Sequence, residues 1–150
     1  MVAFSGGDKL RAKLKELAAQ VKRGAKVQIG FQDGATYPDG TSVALVAALN
    51  EFGVPDHNQP PRPYFRGMIA KESDHWGDDI AAALTHTNYD AQVSLALVGE
   101  QVAGELRQSI TDLVDPPLAP STIARKGFGK PLVDTGRMRN SITAVVKDEI

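Results

Sequence analysis

The sequence contains no cysteine, which removes disulfides, thiolate metal sites and cysteine nucleophiles together. Aromatic residues are scarce, at 6%, and the apolar inventory is mostly Ala, Val and Leu. That mix favours helices on a modest sheet over an aromatic-rich β sandwich. Neither sign of charge dominates, with 17 basic and 18 acidic residues and a net charge of −1. A dedicated nucleic-acid binder carries a basic excess to neutralise phosphates, and none is present. No apolar run approaches the roughly 18 residues that a membrane span requires. The opening MVAFSGGDKL has no basic stretch followed by an apolar one, so no secretory signal is expected. The expectation is a soluble chain made in a cytoplasm, with no membrane partner.

Enzyme signatures are equally thin. His57, His75 and His86 form no paired metal-ligand spacing on a helix face. No glycine-rich dinucleotide fingerprint follows a strand, and no nucleophile elbow is visible. The sequence predicts no cofactor, no metal ligand and no catalytic residue.

What is present reads as one domain over residues 1–150, 42% hydrophobic and long enough for a single core. In GDKLRAKLKELAAQVKRG, Leu10, Leu14, Leu17 and Val21 fall on one helical face. Asp8 is placed to cap it, Lys22 and Arg23 sit in the last turn, and Gly24 suits the stop. AKVQIGF alternates Val27, Ile29 and Phe31 with polar or small residues, as a half-buried strand does. TSVALVAALNEFG predicts a short, nearly buried helix ending at Gly53. A further helix starts at Tyr64, with an interruption expected at Gly77. The longest helix is expected around 90–114, where Leu95, Val98, Val102, Leu106, Ile110 and Leu113 keep a three-and-four spacing. Gly99 and Gly104 inside it imply close approach by another element. The chain closes on a strand-like ITAVVKDEI. Pro, Gly and Asp-Gly pairs mark extended loops at 32–41, 54–63 and 115–131, the last holding at most one helical turn near 121–126. The fold class expected is α+β: a small antiparallel sheet packed against several α-helices.

Several short stretches invite chemistry. In PLVDTGRMRNSI, the tripeptide Asp134-Thr135-Gly136 matches the catalytic loop of an aspartic peptidase. Such an enzyme pairs two carboxylates, so this chain would have to act as a homodimer using Asp134. Only fourteen residues follow Gly136, too few to build a flap and floor. A structural turn is the plainer reading, with Thr135 as helix cap and Asp134 at the positive helix end. GFGKP lacks both the first glycine and the hydroxyl residue of a phosphate loop, and reads as a flexible loop. SDHWGDD offers oxygens and one imidazole for a cation, but a solvated helix end accounts for it. PPRPYF reads as a stiff connector between helices.

Two blocks taken together carry a family resemblance. ALVAALNEFGVP with QPPRPYFR, and LAPSTIARKGFGKPLVDTGRMRNSI after them, resemble the neck and minor tail proteins of tailed bacteriophages, including the Mu-like virion morphogenesis group. The order and separation of the blocks fit, and they span about 42–142. The 32–41 loop matches nothing diagnostic.

The resemblance implies a virion structural protein at the head–tail interface, assembled as a homo-oligomeric ring, commonly sixfold. The function implied is head–tail joining, or tail completion; the close alternative is a tail terminator capping the tail tube. Neighbouring connector or head-completion proteins and tail tube or terminator proteins are the implied partners. DNA passes through the ring without sequence-specific binding. A ring closes through heterologous contacts. Pro60, Pro61, Arg62 and Arg66 are therefore candidates to meet a neighbour, with Tyr64 or Phe65 filling its pockets. Phe65 is equally placed to be core. The 127–131 loop is expected to gain order from the adjoining ring.

Overall fold

The computed structural model describes residues 7–22, 24–133 and 135–148, without the side chains of Val21 and Lys22. In chain order it comprises α1 (Gly7–Lys22), β1 (Ala25–Phe31), α2 (Val43–Phe52), α3 (Tyr64–His86), α4 (Ala91–Asp112), α5 (Pro120–Lys126), α6 (Arg137–Asn140) and β2 (Ile142–Asp148). The fold is α+β, with one two-stranded antiparallel sheet among the described residues.

β1 and β2, from opposite ends of the chain, pair from Ala25 opposite Asp148 to Phe31 opposite Ile142. Period-two alternation puts Val27, Ile29 and Phe31 on one face with Val146, Ala144 and Ile142. α4 lies against both strands and also against α3, so it forms the centre of the molecule. Its Val98, Val102, Leu106 and Ile110 are buried at steps of four. Asp90 caps α4 by accepting from the Val93 N–H at 3.0 Å. The two central helices are nearly equal, 23 residues for α3 and 22 for α4, so the expected longest helix is not the longest.

Gly77 does not interrupt α3. Trp76 and Ile80 on either side pack against the core, which outweighs the roughly 1 kcal/mol helix cost of one glycine. The two glycines of α4 divide. A Cβ on Gly99 would stand 2.6 Å from Val27 Cγ2 and 3.2 Å from Ala144 Cβ, so the sheet comes close here. At Gly104 a Cβ would meet nothing within 4 Å, and the expected close approach is absent.

α2 is not nearly buried. Val43, Ala47 and Glu51 face inward, while Leu45, Leu49 and Phe52 are exposed. Leu10 and Leu14 of α1 are exposed as well, and α1 makes no extensive packing contact with another described element. Asp8 lies inside the first turn of α1 rather than before it. The expectations on Val21, Lys22, Arg23 and Asp134 fall outside the described residues or side chains. Thr135 is exposed and does not cap α6. The N-cap is Gly136, at φ 75° and with no side-chain hydrogen bond, a backbone state that glycine adopts without penalty. Within 115–131, α5 extends over seven residues rather than one turn. No described helix is long and apolar enough to cross a membrane.

Candidate functional site

The α2–α3 corner is where the sequence concentrates its unusual residues. Ser42 starts α2 by accepting from the Leu45 N–H at 3.3 Å. Gly53 ends it at φ 75°, where a Cβ would lie 2.7 Å from Pro61 N and 2.8 Å from Gln59 O. Both the dihedral and the space require glycine. The chain then closes on itself through a Val54–Gln59 bridge and a 3-10 turn at Pro55–His57. It enters α3 through Pro60, Pro61, Arg62 and Pro63.

Pro63, at the head of α3, supplies no capping side chain. The cap comes from Glu51 instead. Its buried carboxylate accepts from the N–H groups of Phe65 at 2.9 Å and Arg66 at 3.2 Å. A negative charge thus meets the positive helix end and satisfies two orphan donors. Arg66 closes the arrangement, its Nε donating to Glu51 Oε1 at 2.8 Å. The Arg66 guanidinium also stands 5.0 Å from the centre of the Phe52 ring.

This geometry redistributes the residues expected to meet a neighbour. Arg62 is only 5% exposed and Tyr64 2%. Arg62 donates to the carbonyls of Pro116 at 3.3 Å and Pro117 at 3.4 Å, and its burial lowers its pKa. Its charge therefore ties the two proline-rich segments of its own chain together. Tyr64 donates its hydroxyl to Ala47 O at 3.0 Å, and burial, with Glu51 nearby, pushes its phenol pKa well above the usual range. Tyr64 is core, not a plug for a neighbouring pocket. Phe65 is half-buried and packs against the core, in edge-to-face contact with Tyr64 at 6.4 Å. Arg66 is partly exposed but engaged by Glu51. Pro60 and Pro61 alone of the six are exposed without a side-chain tie.

The three loops marked in the sequence converge. Residues from 32–41, 54–63 and 115–131 line one groove of about 740 Å³, with Tyr37, Asp39, Asn58, Pro60, Leu118 and Arg125 among its walls. The Thr41 backbone N–H holds the Asp39 carboxyl below its ordinary pKa. Gln59 Nε2 bonds Asn50 Oδ1 at 3.1 Å, fixing the groove wall to α2. The 127–131 segment is held to its own chain: Lys126 Nζ donates to the carbonyls of Lys130 and Val133, both at 3.2 Å. Lys130 Nζ reaches Thr111 O at 3.2 Å. On a different side of α2, an apolar cleft of about 230 Å³ opens between Phe31, Ala48, Phe52 and Phe65.

No protein-family model, curated protein or solved structure matches this chain.

The SDHWGDD stretch lies within α3, not at a helix end. His75 Nδ1 meets Asp79 at 2.6 Å and its Nε2 meets Glu72 at 3.3 Å, while Trp76 Nε1 donates to Glu105 of α4 at 2.8 Å. Asp79 and Glu72 raise the His75 pKa, Asp79 most strongly. The cluster links the two helices, and no group of three or more such side chains is placed to hold a metal among the described residues. Sequence reading missed the Glu51–Arg66 pair. Its signal was an acid in the last turn of a short helix and an arginine after a proline-bounded connector.

Proposed function

We propose that this chain is a virion structural protein, forming a ring at the head–tail interface of a tailed phage. The observation that carries the reading is the convergence of three proline- and glycine-rich loops on one groove, beside a helix that presents Leu45, Leu49 and Phe52 to solvent. Pre-shaped loops lose little entropy on docking, and exposed apolar residues near them supply the buried centre that a protein interface needs. The two blocks that resemble phage neck proteins build two of the three sides of this surface, and the 32–41 loop supplies Tyr37 and Asp39 to the third. The Glu-Phe-Gly turn and the Pro-Pro-Arg-Pro segment shape the α2–α3 corner, and 115–131 supplies the opposite wall. In this reading the signature residues are conformational: Gly53, Glu51 and Arg62 hold the loops, and the contacts fall to their neighbours.

A peptidase centred on Asp134 would need a second carboxylate brought alongside and a strand-built cover over both. The sheet seen among the described residues has two strands and is joined to α4 instead. Imaging of phage particles that carry this chain with an electron-dense label tests the proposal. Label at the neck is expected; label elsewhere, or particles without it, overturns it. Hydrolysis of peptides at acid pH, abolished by Asp134→Asn, would establish the enzyme reading in its place.

A further inference from the structure

Two apolar stripes are left largely open among the described residues, Phe52 meeting the Arg66 guanidinium at 5.0 Å. On α1, Leu10 and Leu14 are 60% and 55% exposed, with half-buried Leu17 completing an i, i+4, i+7 row. On α2, Leu45, Leu49 and Phe52 repeat the same spacing and are 54%, 40% and 66% exposed. Rows of this kind are the side of a helix that packs against another helix. Their surroundings differ in charge. α1 holds five basic and two acidic residues, with Lys9, Arg11 and Lys15 exposed beside its leucines. In sequence, α2 is flanked by exposed acids, Asp33 and Asp39 before it and Asp56 after it, while one exposed cation, Arg66, stands over Phe52. The Thr41 N–H donates to Asp39 Oδ1 at 3.0 Å. A basic leucine helix and a leucine–phenylalanine helix with three acids to one arginine around it are complementary in apolar pattern and in net charge.

The C-terminal end of α1 and the surroundings of α2 meet different ends of α4. α1 ends beside the start of α4, where Gln20 lines a small cavity with Asp90, Ala91 and Gln92. α2 sits by Tyr64, whose carbonyl accepts from Ser109 of α4 at 2.7 Å. The span from Gln92 to Ser109 is about 25 Å along a helix rising 1.5 Å per residue. Two different, complementary patches at separate places on one chain are what a head-to-tail contact requires.

We infer that α1 of one copy docks its leucine row along the Leu45–Leu49–Phe52 face of α2 in the next copy. The contact rests on the ring reading above and gives it its subunit interface. It is heterologous, so it leaves one free donor face and one free acceptor face until the ring closes.

The test uses the full chain and two variants altered only at exposed positions, Leu10→Asp with Leu14→Asp, and Leu45→Asp with Leu49→Asp. Circular dichroism and thermal melting verify that each folds. Light scattering across a dilution series should show wild-type assemblies and two monomeric variants. Mixed together, the variants should form a one-to-one dimer that grows no further, because each retains the face that the other has lost. A second measurement exploits the absence of cysteine: a chain carrying Leu14→Cys and Leu49→Cys should oxidise to a ladder of multimers. The inference fails if wild type remains monomeric, if the variants assemble as wild type does, or if their mixture forms no dimer. It also fails if oxidation closes the bond inside a single chain, or if monomeric wild type pellets with anionic vesicles through α1. If both variants still assemble and reach the neck, this contact is wrong and the ring stands. Absence of wild type from particles removes the ring reading whatever the mixing shows.

Discussion

Glu51 is the residue on which the α2–α3 corner turns. It is buried, charged, and used as a helix cap across a connector of eleven residues, from Gly53 to Pro63. A buried carboxylate is costly unless every nearby donor meets it, and three do: two backbone N–H groups and the Arg66 guanidinium. Glu51→Ala is expected to destabilise the protein by about 2–4 kcal/mol in urea unfolding, because it orphans the head of α3 and leaves Arg66 without its partner. Arg66→Ala should cost less, since the N–H bonds to Glu51 survive it. Gly53→Ala is expected to lose about 2–3 kcal/mol by the same measurement, from a left-handed dihedral combined with contacts at 2.7 and 2.8 Å. The glycine was legible in the sequence as a helix stop; its collision with Pro61 was not, since that depends on how the loop returns.

Among the elements, α4 shows how tertiary context gives two glycines opposite meanings. Gly99→Ala pushes a methyl into Val27 and Ala144 of the sheet, and overpacking of that kind costs about 1–3 kcal/mol. Gly104→Ala adds its methyl to open space and gains up to about 1 kcal/mol of helix propensity. The melting temperatures of the two variants should therefore move in opposite directions from wild type.

The α3–α4 pair also carries a pH dependence. His75 is raised by Asp79 first and by Glu72. Its contribution to stability is complete below the unfolded-state value near 6.5 and fades as pH rises through the higher folded value. The same pair lowers Asp79, and Lys71 followed by His75 lowers Glu72. Those contributions are complete above about pH 4.5 and fade as pH falls through the lower folded values. The melting temperature should consequently peak in mildly acidic buffer, between about pH 4.5 and 6.5. His75→Gln should flatten the decline on the alkaline side; an unchanged slope would show that another group sets it.

For the whole molecule, the balance of 17 basic and 18 acidic residues conceals a separation. α1 is basic, which leaves an acidic excess on the remainder. Assembly that brings α1 of one copy to Asp33, Asp39 and Asp56 of another should weaken as salt rises, since surface pairs are screened over a Debye length of about 8 Å at physiological ionic strength. Light scattering at low and high salt measures this. Greater assembly at high salt would assign the contact to apolar burial alone.

Much of the architecture could be read directly from the chain. The spacing of Val27, Ile29 and Phe31 specified a strand, and the steps of four along α4 specified its buried face. Prolines and glycines placed the three loops, because backbone dihedrals and missing donors act locally. Partnership was a different matter. Periodicity marks a face as apolar without saying what covers it, so Leu10 and Leu14 looked as ready for a core as Val98 and Val102. Arginine and tyrosine at 62 and 64 looked like surface anchors, yet the return of 115–117 over the corner buried one and the aromatic core claimed the other. The sequence alone determined most of the helix, strand and loop segments, through steric and hydrogen-bond rules that operate over a few residues; the continuity of α3 through Gly77 and the length of α5 were exceptions. Only the tertiary structure decided which charges are consumed within the chain and which apolar rows remain open, because burial depends on elements far apart in sequence meeting in space.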